Sequence, residues 1–160
     1  MKRTFDYKIG IISDTHGLVR PQIVNLFADV DLIIHAGDIG NPDVLKALQS
    51  IAKVHAVHGN VDVGKLAANL PKIEVIKVGE LLFCVLHDIY DLAFDPAAAG
   101  FHAVISGHSH IPTIEKRGGV LFLNPGSAGP KRFKHPVTLA FIYVKGITLE
   151  AEVVEVGETT

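Results

Sequence analysis

A chain of 160 residues, 48% of them apolar, is long enough for one domain of 1–160 with its own core and needs no disulfide or metal staple to fold. A net charge near −2 gives no global pull toward nucleic acid or a membrane surface, and no apolar run approaches the ~20 residues that span a bilayer. The polar N-terminus carries no signal-peptide pattern, so a cytoplasmic location is expected. The single cysteine, Cys84, cannot form an intrachain disulfide.

In chain order, residues 7–13 are a continuous apolar run of the kind buried on both faces of a sheet. A helix is expected over 21–27, with Pro21 suited to its first turn. A strand follows at 32–36, then a helix over 42–50 capped by Asn41 with Pro42 at its first position. A third strand at 54–57 and a short helix at 65–70 complete a βαβαβ half.

The second half changes character. Strands at 73–78 and 81–86 flank the two-residue hairpin signal Gly79-Glu80. The segment 81–86 places Cys84 as a small core hydrophobe rather than a reactive thiol. A weak helix is expected at 96–99, and strands at 103–106, 113–117, 120–123, 138–144 and 148–156. Two packed sheets with helices outside satisfy this pattern, an α/β (α+β) arrangement.

Nine histidines are many for this length, and the residues that could bind metal stand just after strands. Asp14 and His16 follow the first strand, Asp38 the second, and Asn60 and Asp62 the third. His87 ends 81–86, and His108 and His110 follow 103–106. Carboxyl ends of parallel strands are where open α/β sheets put their sites. Imidazole with carboxylate suits Mn, Ni, Fe or Zn. Seven candidate ligands exceed the need of one cation. Two metals ~3.5–4 Å apart can hold a bridging hydroxide and clamp an in-line phosphoryl displacement.

Together, Asp14-Thr15-His16, Gly37-Asp38, Gly59-Asn60-Val61-Asp62, His87 and Gly107-His108-Ser109-His110 resemble the signature of the calcineurin-like metallophosphoesterases. The small single-domain branch of YfcE-type phosphodiesterases is the most similar, and Asn124-Pro125-Gly126-Ser127 also resembles that branch. The resemblance spans about 8–155 and implies a four-layer αββα sandwich of two mixed β-sheets flanked by helices. It assigns Asp14, His16 and His110 to a first metal, Asp38 to a bridge, and Asn60, His87 and His108 to a second metal. Asp38, Asn60 and His108 then act catalytically through the metal-bound hydroxide and the substrate phosphate. Asp62 reads as a loop cap or a residue behind the ligands.

Two positions depart from the family. Val61 stands where many members carry a histidine that holds substrate or protonates the leaving group. General-acid help is worth ~10²–10⁴-fold, so good leaving groups such as aryl diesters are expected. Asp88 follows His87 where the family has glycine. It can adopt positive φ as glycine would, or add negative charge near the second metal.

His35 reads as a core histidine, and His55, His102 and His135 as surface residues. His58 is a candidate substrate contact. In the basic cluster 131–135, Arg132 is either solvated or positions phosphate. The expected partner is a small phosphate-ester substrate. No long basic stripe with stacking aromatics indicates nucleic acid, and homo-oligomerisation is left open. Two other readings remain: a non-enzymatic protein-interaction scaffold on the same fold, as the similar retromer subunit is, and a phosphomonoesterase or nucleotidase.

Overall fold

The computed structural model describes residues 3–131 and 135–157. The elements run β1 (Tyr7–Ile12), α1 (Pro21–Leu26), β2 (Leu32–His35), α2 (Pro42–Gln49), β3 (Lys53–Ala56), α3 (Gly64–Ala68), β4 (Ile73–Val78) and β5 (Leu81–Leu86). A 3-10 turn (Ile89–Asp91) is followed by β6 (Ala103–Ile105), β7 (Thr113–Arg117), β8 (Val120–Asn124), β9 (Thr138–Lys145) and β10 (Thr148–Glu155). They form two mixed five-stranded sheets, ordered β10-β9-β1-β2-β3 and β4-β5-β6-β8-β7.

Strand periodicity sorts the side chains into layers. Ile9, Ile11, Ile34, Ala140 and Ile142 of the first sheet meet Phe83, Val85, Ile105 and Leu123 of the second, forming the inter-sheet core. The alternate residues of the first sheet, Ile12, Ile33, Leu139 and Phe141, face the helices and meet Ile23, Phe27, Val44 and Leu48. Each such fully buried side chain is worth ~1.5–3 kcal/mol. Pro21 begins α1, while Asn41 caps α2 by accepting the Asp43 N–H at 3.0 Å. Cys84 is fully buried under the second sheet's outer face, with Leu86, Val104, Ile89 and Phe101.

That outer layer is thinner than the helical one. The helix expected at 96–99 is a chain of turns. Asp95 Oδ1 accepts the Ala97 and Ala98 N–H groups at 3.0 and 3.4 Å, but Gly100 stops the segment after about one turn, short of a stable helical nucleus.

The topology places one end of the sandwich apart from the other. β1, β2 and β3 are parallel, as are β5, β6 and β8. The loops following β1, β2, β3, β5 and β6 gather at their carboxyl-end rim. The three hairpin turns, β4–β5, β7–β8 and β9–β10, lie at the opposite end.

Candidate metal centre

All seven predicted ligands come from that rim, and six of them form two triads. The donor atoms of Asp14, His16 and His110 lie within 4.8 Å of one another, as do those of Asp38, His87 and His108. The triads touch. Asp38 Oδ2 is 3.2 Å from His87 Nε2 and 3.9 Å from His16 Nε2, so one oxygen faces both groups. Asp14 Oδ1 is 3.3 Å from His110 Nε2 and 3.8 Å from His87 Nε2. The seventh residue, Asn60, sets its Oδ1 3.1 Å from His108 Nδ1.

Five of these residues are bent into left-handed backbone: Asp14 (φ 55°), His16 (47°), Asp38 (56°), His108 (72°) and His110 (64°). Among the described residues they are all the non-glycine positions with positive φ. The left-handed region costs an L-residue roughly 1–2 kcal/mol, and such strain persists where surrounding structure holds it for function.

The holding is visible. Asp62, expected behind the ligands or as a cap, ties two ligand loops together. Its carboxylate accepts the N–H groups of Ile39 (3.2 Å), Gly40 (3.0 Å) and Gly59 (2.8 Å). His35 is fully buried, as expected of a core histidine. Its Nδ1 accepts the Gly37 N–H at 3.1 Å, so Nε2 carries the proton and donates to Thr15 Oγ1 at 2.9 Å. Thr15 in turn donates to the Ile39 carbonyl, joining the loops that carry Asp14, His16 and Asp38. Asn124 donates to the Gly107 carbonyl and Ser109 Oγ, and so holds the His108–His110 loop, while Ser127 donates to the Asp14 carbonyl.

Two glycines are required by close approach. A Cβ on Gly59 would strike the Asp38 carboxylate, and one on Gly107 would strike Ser13 Oγ. Ser13 itself donates to Asp14 Oδ2 at 2.8 Å. Its role, like those of Thr15 and Ser109, was not read from the sequence; the signal was a small hydroxyl residue beside Asp14, His16, His108 and His110.

Burial pushes the Asp14 carboxyl up to about 6, partly countered by the charge of His87 and the Ser13 hydrogen bond. Burial also acts to raise Asp38. There the His87 hydrogen bond, the Val61 N–H at 3.0 Å and the neighbouring imidazoles prevail and hold it at about 2. His87 is raised: burial works against its charge, but Asp38 and Asp14 outweigh it. Burial drives His35 down to about 3.

Asp88 does not replace glycine by conformation. Its backbone is extended (φ −112°), its Oδ1 accepts the Tyr90 N–H at 3.0 Å, and its Oδ2 lies 3.8 Å from His108 Nε2. Val61 is 45% exposed, and its side chain offers the rim only hydrocarbon. His58 lines a cavity of about 240 Å³ with Asn60, Lys72, His87 and His108. Arg132 lies outside the described residues. His55, His102 and His135 are half-buried rather than exposed. His102 accepts the Leu82 N–H on Nδ1 at 3.0 Å, which ties β6 to β5, and His55 faces Glu74 at 3.9 Å. A larger hollow of about 450 Å³, between Phe5, Tyr143 and Glu150, lies toward the hairpin end, away from both triads.

The calcineurin-like phosphoesterase superfamily domain matches residues 7–146. The chain belongs to this family. Among curated relatives of this phosphoesterase, a probable metallophosphoesterase of Methanothermobacter thermautotrophicus is 34% identical, over 93% of this chain and 92% of that one. The phosphodiesterase YfcE of Escherichia coli K12 is 26% identical, over 84% and 86%. A solved structure of Vps29 complexed with zinc, from Entamoeba histolytica, shares the fold at a TM-score of 0.73, with 22% identity over 94% of this chain and 99% of that one. The family implies divalent metal ions, and the residues here fit them. The donors are carboxylate, imidazole and carboxamide oxygen, and Asp14 Oδ1 is buried with no hydrogen-bond donor. Among the described residues no helix is long and apolar enough to cross a membrane.

Proposed function

We propose that this metallophosphoesterase is a phosphodiesterase working through two divalent cations. Asp14, His16 and His110 would hold one, Asn60, His87 and His108 the other, and Asp38 would bridge them. The observation that carries this reading is Asp38 Oδ2, which faces an imidazole nitrogen of each triad at 3.2 and 3.9 Å. When bound, such a pair of cations supplies an activated water at neutral pH and neutralises the phosphoryl oxygens.

The chain's own residues do the rest. Asp62, His35 and Asn124 fix the ligand loops, so little reorganisation is left for the reaction. Asn60, a neutral ligand, adds no charge to offset that of the second cation. Val61 brings no proton to a leaving group, which restricts the enzyme to ester arms that depart as weak bases, aryl oxides above all. A diester is favoured over a monoester because Lys72, among the described residues the one lysine or arginine lining the cavity beside Asn60 and His87, already pairs with Asp91 at 3.8 Å. Among the described residues lining that cavity, little cationic surplus remains for a second phosphate charge. A pure scaffold would have no use for five strained ligands.

Chelator-treated protein should hydrolyse bis(4-nitrophenyl) phosphate only after Mn²⁺, Ni²⁺, Fe²⁺ or Zn²⁺ is restored, and alkyl diesters far more slowly. Folded protein inactive with every one of these ions would overturn the proposal. Equal turnover of alkyl and aryl diesters would remove the leaving-group argument.

A further inference from the structure

His108 is the ligand ring most open to solvent, with its side chain 45% exposed. Packing alone does not orient it. Its Nδ1 is turned inward, 3.1 Å from Asn60 Oδ1 and 3.3 Å from His87 Nε2, so Nδ1 is the nitrogen that meets the other ligands. Across the ring, Nε2 points toward Asp88 Oδ2 at 3.8 Å. The Asp88 carboxylate is itself anchored, because its Oδ1 accepts the Tyr90 N–H and caps the 3-10 turn.

We propose that Asp88 is a positioning residue for the second cation site, taking the Nε2–H of His108. This rests on the two-cation reading above. A small rotation of the exposed ring closes 3.8 Å to the ~2.8 Å of a charge-assisted hydrogen bond. The proton is then fixed on Nε2, and the Nδ1 lone pair faces the cation. Ligating histidines are commonly oriented this way by a carboxylate, and loss of such a partner weakens metal binding ~10–100-fold. Glycine at this position could supply neither the acceptor nor the anchor, so this chain holds its second site by a contact that the family's glycine cannot make.

The test is calorimetric titration of chelator-treated full-length protein with Mn²⁺, for wild type, Asp88→Asn and Asp88→Gly. Asparagine keeps an oxygen for the Tyr90 N–H and removes only the carboxylate. The expected result is two ions per wild-type chain, with one of them bound ~10–100-fold more weakly in both variants and the melting temperature of Asp88→Asn unchanged. In parallel, ¹⁵N-histidine spectra of the Zn²⁺-loaded wild type should show His108 protonated on Nε2 in slow exchange, a signature that a purely structural cap would not produce. Wild-type affinity at both sites in Asp88→Asn overturns the proposal, even if Asp88→Gly is weakened, since the cap and not the carboxylate would then matter. So does a rapidly exchanging Nε2 proton in the wild type. A wild type that binds a single ion defeats the two-cation reading itself, and with it this proposal.

Discussion

The two ends of the sandwich make the same backbone shape from different residues. At the hairpin end, positive φ falls on glycine in every turn: Gly79, Gly118, Gly119 and Gly146. At the rim it also falls on Asp14, His16, Asp38, His108 and His110. The hairpin end takes the conformationally cheap residue because only the turn matters there. The rim accepts strain because the side chain is needed at that point, and buried hydrogen bonds hold it in place.

Removing the side chain that joins the triads tests the difference most severely. Asp38→Ala should lower kcat/KM for an aryl phosphodiester by at least ~10³-fold, since both cations lose a ligand. A matched change at the hairpin end, Glu150→Ala, should leave it unchanged. Steady-state kinetics at saturating Mn²⁺ would show this, and an Asp38→Ala enzyme within tenfold of wild type would break the comparison.

The ties should differ as the turns do. Asp62→Ala strips the acceptor from three N–H groups in the rim loops. At ~1–3 kcal/mol for each buried donor left unpaired, urea unfolding should show a loss of about 3 kcal/mol or more. At the other end, among the described residues, the Asp6 carboxylate accepts one exposed N–H, that of Gly146. Asp6→Ala should cost no more than about 1 kcal/mol.

How far the sequence disclosed this contrast depended on range. Strand ends, the Gly79-Glu80 hairpin and the Asn41 cap are written in local pattern, the hairpin and cap standing where expected and the strand ends within one residue of expectation, and the positions after strands were enough to nominate all seven rim residues. The kind of place Asp62 and His35 take was legible, but the partners they hold, and what Asn124 does, were not, because each reaches a loop 15 or more residues away. Asp88 was open for the same reason. Its conformation is decided by the Tyr90 N–H and its significance by His108, a neighbour only in the fold. His102 shows the converse error: a polar residue at a strand start looks solvent-facing until its ring is seen receiving the Leu82 N–H.

A third test uses pH. His35 is neutral in the fold, with its pKa at about 3 against 6.5 when exposed. Between these values the unfolded chain binds the extra proton. Stability is therefore full above pH 6.5 and is lost as pH falls toward 3, by ~1.4 kcal/mol per unit. Metal-free protein should be about 2 kcal/mol less stable at pH 5 than at pH 7 from this residue, and His35→Gln should flatten that part of the urea-unfolding profile whatever its absolute stability. An unchanged slope would remove His35 from the rim's scaffold.

The smallest effect isolates the backbone. In metal-free protein His108→Gly should be as stable as wild type or up to about 1 kcal/mol more stable, while Gly118→Ala should cost about 1 kcal/mol. If His108→Gly were the more damaging of the two, the rim would not be strained.

The central claim, that the rim holds two cations bridged by Asp38, is tested most directly by anomalous diffraction from crystals soaked in Mn²⁺. The account predicts two peaks ~3.5–4 Å apart, one among Asp14, His16 and His110, the other among Asn60, His87 and His108, with the Asp38 carboxylate between them. A single peak, or two peaks with Asp38 bound to neither, would contradict it.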